Sequence, residues 1–333
     1  MNAWAAEAKM KLRNPFSTLT TELFGALFLL LLMGCEFQQN KQVPTPTDSP
    51  YLVVLGIAQD AGYPQTGQKE EWQKIKNGTV KVKLATSLGL IDPISNQRWL
   101  FEASPSFNIQ LDKMDEFSTT ENHPYDGIFL THAHMGHYTG LMHLGREVMG
   151  ASDVPVYAMP RMTKFLTNNG PWSQLVALNN ISLKPLQNKQ KIQLNERLSV
   201  TPIEVPHRDE FSETVGYLIE SESKSLLFIP DIDKWEKWDE PILDWINEVD
   251  VALLDATFFK NGEIPGRDMS EIPHPFVEES MALFSELSAE NKSKVHFIHF
   301  NHTNPLLFNN TPETQMVKEA GFKVCRQGLL WKF

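Results

Sequence analysis

The chain has 333 residues, 41% of them hydrophobic, so it is long enough for one large domain with a sizeable core. Its formal net charge is −11, and no cluster of lysine or arginine offsets it. Such a chain would repel a phosphate backbone, and we therefore expect no nucleic-acid partner. Its two cysteines, Cys35 and Cys325, exclude a disulfide framework and a cysteine-based zinc cluster.

Residues 1–34 have the pattern of a targeting signal. A basic segment precedes the apolar run LFGALFLLLL at 23–32, which is too short to span a bilayer comfortably but fits the apolar core of a signal peptide. The next residues, LMGC, resemble the lipobox of bacterial lipoproteins. This resemblance implies that Cys35 becomes the lipidated first residue of the mature chain. An ordinary signal anchor is the alternative.

The polar, proline-containing residues 35–50 predict a tether between this anchor and a domain at 51–333. We therefore expect a lipoprotein of the bacterial cell envelope, on its periplasmic or extracellular face. The lipid would be its only contact with the membrane.

Within 51–333, short β-rich runs alternate with turn residues and helical patterns. Strands are predicted at 52–58, 82–91, 99–103, 127–130, 154–158, 198–205, 214–220, 225–229, 249–255 and 294–300, with a closing strand pair at 321–333. Helices are predicted at 140–149, 161–168, 241–248, 275–290 and 312–320. Two series of strands with helices outside them indicate a β-sandwich flanked by helices.

The segment THAHMGHYTG at 131–140 carries the clearest chemistry. His132 and His134 follow a buried strand and are two residues apart, so their side chains should point the same way, and the turn should bring His137 back over them. Three neutral imidazoles that converge on one point suit zinc or iron. We expect a metal site here rather than a polar loop that happens to contain histidines.

Three later strands each end close to another residue that can bind a metal. His207 follows the strand at 198–205, Asp231 follows the strand at 225–229, and His299 lies near the end of the strand at 294–300. Each could instead be a hydrogen-bonded core residue or, for Asp231, a helix cap. Their common position at strand ends favours one shared site.

This order of residues resembles the metallo-β-lactamase superfamily. Within it, six segments are similar to the pyrroloquinoline-quinone (PQQ) biosynthesis protein B group: LGIAQDAGYPQ (55–65), LFEASPSFNIQL (100–111), THAHMGHYTGL (131–141), VPHRDEFSETVGY (205–217), LLDATFF (253–259) and FIHFNHTNPLL (297–307). The resemblance implies an α/β (α+β) fold, a four-layer αββα sandwich in a single domain. That group usually carries a small cysteine cluster after its first strand, and TGQKEEWQKI at 66–75 has none.

The resemblance also implies a ligand set for one or two zinc ions, or for iron. The first metal would be held by His132, His134 and His207, and Asp231 would bridge to a second metal held by His137 and His299. Two metals bridged in this way share one hydroxide as nucleophile.

Gly136 departs from the superfamily, which usually has a second-metal aspartate directly before the third histidine. The site would then hold one metal, favour iron, or borrow a ligand from His302 or Asp60. His302 could instead bond to the turn that follows it, and Asp60 could be a turn residue. Because a glycine should leave room for a side chain, we also expect Gly136→Asp to restore a second site.

A candidate proton donor lies further along the chain. Asp255-Ala256-Thr257 followed by His274 resembles the Glu-Ala-Thr and downstream histidine of ribonuclease Z-like proteins, in which the histidine protonates the leaving group. A carboxylate that orients an imidazole produces a tuned general acid. His274, between two prolines, could also be an ordinary loop residue.

Three functions remain open. The first is a metal-dependent hydrolase of a small-molecule ester, amide, lactone or phosphoester, with Asp231, His274 and Asp255 in catalytic roles. The second is an enzyme like PQQ biosynthesis protein B, with iron-dependent oxygenase or hydroxylase chemistry. The third is an envelope lipoprotein that binds a metal or ligand without turnover. The identity of the bound metal distinguishes the hydrolase from the oxygenase. Turnover of a panel of esters and phosphoesters distinguishes both enzymes from a protein that only binds.

Overall fold

The computed structural model describes residues 48–117 and 125–333, which belong to one compact unit. The predicted signal at 1–34, Cys35 and most of the tether at 35–50 lie outside the described residues, so the lipid anchor stays a prediction. Within the described ranges, no helix is long and apolar enough to cross a membrane.

The first sheet has seven strands in the described residues, in the order β14-β1-β2-β3-β4-β5-β6. Neighbours from β14 to β3 are antiparallel, and neighbours from β3 to β6 are parallel. The bounds are β1 Tyr51–Gly56, β2 Ser87–Asp92, β3 Gln97–Phe101, β4 Gly127–Phe129, β5 Val154–Ala158, β6 Ile181–Pro185 and β14 Leu330–Lys332.

The second sheet repeats this plan, with the described strands in the order β13-β12-β11-β10-β9-β8-β7. Neighbours from β7 to β10 are antiparallel, and neighbours from β10 to β13 are parallel. The bounds are β7 Ile192–Gln193, β8 Ser199–Glu204, β9 Val215–Glu220, β10 Ser225–Ile229, β11 Val251–Asp255, β12 Val295–Ile298 and β13 Lys323–Val324.

Helices occupy most of the connections between strands. The α-helices are α1 Lys69–Lys76, α2 Phe107–Asp115, α3 Met135–Tyr138, α4 Pro160–Asn168, α5 Trp172–Ala177, α6 Ile242–Glu248, α7 Val277–Leu283, α8 Ala289–Lys294 and α9 Pro312–Glu319. The 3₁₀ helices of the described residues lie at Thr139–Leu144, Trp235–Lys237, Phe284–Glu286 and Pro305–Leu307.

Several predicted elements differ from the structure. The helix predicted at 140–149 is instead a 3₁₀ helix that ends at Leu144, and turns follow it. The strand predicted at 82–91 begins at Ser87, and the helix predicted at 275–290 is broken before Ser288, whose side chain caps α8 by accepting from Asn291 N. The predicted closing strand pair is wrong, because β13 joins β12 in one sheet and β14 joins β1 in the other. The chain end therefore ties the two sheets together.

The main core lies between the two sheets, and a second apolar cluster lies between the first sheet and its helices. Strand β1 contributes to both clusters: Leu52 and Val54 belong to the core between the sheets, whereas Val53 and Leu55 belong to the cluster under the helices. A strand buried on both faces needs a continuous apolar run, which explains the sequence YLVVLG. The predicted single-domain αββα sandwich is confirmed.

The segments that follow the parallel strands connect the two sheets at one edge. Val215 N of β9 donates to Thr131 O after β4 at 3.1 Å, and the buried Tyr217 hydroxyl donates to Leu130 O. On the other side, Phe300 N after β12 donates to Ile57 O after β1 at 2.9 Å. Residues from both sheets therefore meet at this edge.

We expect Tyr217→Phe to lower the free energy of unfolding by about 1–3 kcal/mol, because it leaves the buried Leu130 carbonyl without its hydroxyl donor. Chemical denaturation of the metal-free protein measures this. Tyr157→Phe removes the same atom from a half-buried ring whose hydroxyl has no hydrogen bond to any other described residue, so it should cost much less. Equal losses in the two variants would contradict the role given to this bond.

Candidate metal centre

The three histidines of THAHMGH converge as their spacing predicts. His132 lies three residues beyond the end of β4, and Thr131 Oγ1 lies 2.9 Å from its Nδ1. Its Nε2 therefore faces His134, whose Nδ1 is 2.8 Å away. His134 is the extended residue before the short helix α3, and that turn returns the buried His137 to the same place.

A first group combines His132 and His134 with His207 and Asp231, each offering one ligand atom within 4.8 Å of the others. The Asp231 carboxylate is at the centre: its Oδ2 lies 3.3 Å from His132 Nε2, and its Oδ1 lies 3.3 Å from His207 Nε2. Burial alone would raise the pKa of Asp231, but the imidazoles of His207 and His274 outweigh this and hold that pKa well below its ordinary value.

A second group consists of Asp60, His137 and His299. His137 Nε2 lies 3.8 Å from Asp60 Oδ1 and 3.6 Å from Asp231 Oδ2, so Asp231 lies between the two groups. The sequence-derived ligands His132, His134, His137, His207, Asp231 and His299 are thus all brought together at one edge of the sandwich.

Two further residues orient the histidines of the second group. Glu102 Oε1 lies 3.3 Å from His137 Nδ1, and Thr257 Oγ1 lies 3.0 Å from His299 Nδ1. Each partner faces Nδ1, so Nε2 is left for a ligand, the arrangement that orients metal-binding imidazoles. The sequence reasoning missed Glu102, although its position directly after the buried strand β3 is the same signal that identified Asp231.

Asp255 and His274 form a third group with Asp231. Asp255 is fully buried and accepts hydrogen bonds from Ile232 N and from both the backbone N and the hydroxyl of Thr257. His274 Nδ1 lies 2.8 Å from Asp255 and 3.1 Å from Asp231. Burial lowers the pKa of His274, but these two carboxylates raise it to about 10.

His302 and Asp60, the two candidates for an additional metal ligand, lie in different surroundings. His302 Nδ1 is paired with Glu71 Oε1 at 2.8 Å, and His302 belongs to none of the three groups in the described residues. Asp60 does belong to the second group.

The expectation that Gly136 leaves room for a side chain is wrong. A Cβ built on Gly136 would overlap with the Cα and Oδ1 atoms of Asp60. Backbone atoms cannot rotate away, so any side chain at 136 must displace the loop that carries Asp60. The space that the usual aspartate would occupy is already filled.

The charges and the unpaired atoms of this centre fit a divalent cation. Glu102, Asp231 and Asp255 are buried carboxylates, and their ion pairs within the described residues are all with imidazoles. Several buried atoms also have no hydrogen-bond partner there: Nε2 of His137, His207 and His299, and Oδ1 of Asp231. Buried polar atoms are rarely left unpaired, and nitrogen with carboxylate oxygen is the donor set of zinc or iron.

Comparison with known proteins agrees with the fold and the centre. Residues 97–299 match the family described as the beta-lactamase superfamily domain. The chain belongs to this superfamily. Its fold and its homology to PQQ synthesis proteins were both expected from the sequence, and both are confirmed.

Among curated relatives, coenzyme PQQ synthesis protein B of Klebsiella pneumoniae is 26% identical over 308 residues, covering 84% of this chain and 97% of that protein. Zinc-bound PqqB of Methylobacterium extorquens superposes with a TM-score of 0.71 at 21% identity, covering 85% of this chain and 100% of that one. A diphosphatase of the PhnP family superposes with a TM-score of 0.58 at 18% identity, covering 85% and 97% of the two chains.

We expect Gly136→Ala to lower the free energy of unfolding by about 1–3 kcal/mol, because the new methyl group overlaps with the Asp60 backbone. Denaturation of the metal-free protein measures this without any effect of bound metal. Gly145→Ala should cost less, because the new methyl group would meet no atom closer than the Leu175 methyl at 3.1 Å and Met142 O at 3.2 Å. Unchanged stability of Gly136→Ala would show that the space is open after all.

Proposed function

We propose that this member of the β-lactamase superfamily is a metal-dependent hydrolase of a small molecule. The proposal rests on one observation: His132, His134, His207 and Asp231 bring three imidazoles and a carboxylate within 4.8 Å of one another. This set would hold a zinc ion. When bound, the metal would activate a water molecule for attack and polarise the bond under attack.

His274 is suited to protonate the leaving group. Its Nδ1 faces Asp255 and Asp231, so the other ring nitrogen, Nε2, is the one available to a bound molecule. The ring also lines a cavity of about 290 Å³ beside the metal centre. Asp255 acts through His274 as a positioning residue, because its oxygens are already occupied by Ile232 and Thr257.

The same cavity indicates the kind of substrate. Phe258 and Ile272 give it an apolar wall, while Arg208 and Arg267 lie at its exposed side. Within the described residues, no ion pair or side-chain hydrogen bond engages either guanidinium. Two exposed guanidiniums without an ion pair among the described residues favour a substrate with an anionic group, such as a carboxylate or phosphate. A larger cavity of about 480 Å³, beside Trp235 and Trp238, contains none of the metal-binding residues.

A second candidate is oxygenase or hydroxylase chemistry with iron, as in an enzyme like PQQ synthesis protein B. It is favoured by the similarity over 84% of the chain to a protein of that name. The same imidazoles suit iron as well as zinc. The third candidate, metal or ligand binding without turnover, would apply if no reaction can be found.

Elemental analysis of protein purified without added metal tests the centre and separates the first two candidates. We expect zinc in the parent protein and loss of most bound metal in His132→Ala, because one of the nitrogen ligands is removed. His143→Ala, a histidine outside the three groups, should keep its metal. Iron in the parent protein would favour the oxygenase. Equal metal content in both variants would contradict the ligand assignment.

Kinetics test the preference for an anion. With a panel of small esters and phosphoesters, we expect Arg267→Gln to raise KM about 10-fold or more for an anionic substrate, because a charge-assisted hydrogen bond is lost. KM for a neutral ester of similar size should change little, and it serves as the control. An equal effect on both substrates would show that Arg267 shapes the cavity but does not recognise charge.

A further inference from the structure

The loop after β1 lies where the superfamily's usual second-metal aspartate would lie. That aspartate precedes the third histidine, at the position of Gly136, and a side chain built there would overlap with Asp60. The Asp60 carboxylate therefore occupies the space of the missing carboxylate, although Asp60 lies 76 residues earlier in the chain.

The fold holds this loop against the second sheet. Gln59 N donates to Phe300 O at 2.8 Å, and Phe300 N donates to Ile57 O at 2.9 Å. These bonds join the end of β1 to the residue that follows His299. Asp60 itself has a φ of 42°, a left-handed conformation that aspartate tolerates better than most residues. The loop is thus bound next to one of the two histidines that Asp60 would assist.

The two histidines present free nitrogens to this carboxylate. Nδ1 of His137 faces Glu102 and Nδ1 of His299 faces Thr257, so both Nε2 atoms are left buried and without a hydrogen-bond partner among the described residues. Asp60 Oδ1 lies 3.8 Å from His137 Nε2. Two imidazole nitrogens with one carboxylate oxygen is a common metal-binding set, and Asp231 can add a second oxygen.

We propose that Asp60 replaces the carboxylate absent at Gly136 and completes a second metal site with His137 and His299. The centre then holds two metals per chain, with Asp231 between them. This inference rests on the proposed metal centre, but it adds a ligand from a different segment. His302, paired with Glu71, takes no part.

The test is zinc binding, measured by elemental analysis after dialysis and by competition with a chromogenic chelator. We expect about two zinc ions per chain in the parent protein. Asp60→Asn removes the charge but keeps the shape and the tolerance for positive φ, and it should leave one tightly bound zinc and weaken the other at least about 10-fold. Asp153→Asn is the matched control, because Asp153 is exposed and also has a positive φ, of 53°.

The outcomes separate this inference from the proposed function. One zinc per chain in the parent, unaffected by Asp60→Asn, would overturn the role of Asp60 and leave the first metal site intact. Two zinc ions that depend on His302 and not on Asp60 would also overturn it. No bound metal in the parent would overturn both proposals. Loss of one zinc in Asp60→Asn, with two retained in Asp153→Asn, supports the second site.

Discussion

The buried carboxylate of Asp231 is the constraint on which the rest of the centre depends. A carboxylate that is almost fully removed from water is costly unless cationic or hydrogen-bonding groups surround it. The chain supplies four imidazoles within 3.6 Å of its oxygens, from His132, His137, His207 and His274. Neutral imidazoles cannot balance three buried carboxylates, so either protons or a bound cation must do so, and this is why a metal centre accounts for the arrangement.

The sandwich makes this concentration of polar groups possible. In each sheet the parallel strands end at the same edge, so the residues that follow β3, β4, β10, β11 and β12 meet there. The apolar residues of these strands stay between the layers, while the first residues beyond them carry the chemistry. Hydrogen bonds between the two sheets, such as Tyr217 to Leu130, then hold the facing ligands in register.

The histidines could be predicted from the sequence because their spacing is local: a strand followed by a turn brings His132, His134 and His137 together whatever the rest of the chain does. The strand-end rule extended this to His207, Asp231 and His299. It could not predict Glu102 as a partner of His137 or separate Asp60 from His302, because those pairings depend on which loops meet across the sandwich. The prediction that the last two strands pair with each other was wrong for the same reason, because the true partner of the last strand, β1, lies far away in the sequence.

Gly136 shows why a missing motif residue is not the same as a missing ligand. A metal site requires a carboxylate at a point in space, and a glycine in one loop is what allows the Asp60 backbone to approach that point. The replacement has a physical consequence, because the Asp60 side chain is 53% exposed whereas that of Asp231 is 4% exposed. Attraction between a carboxylate and a cation is weaker where water screens it. A cation held by Asp60 should therefore be bound less tightly than one held by Asp231, and it should be the first to leave when a chelator is added.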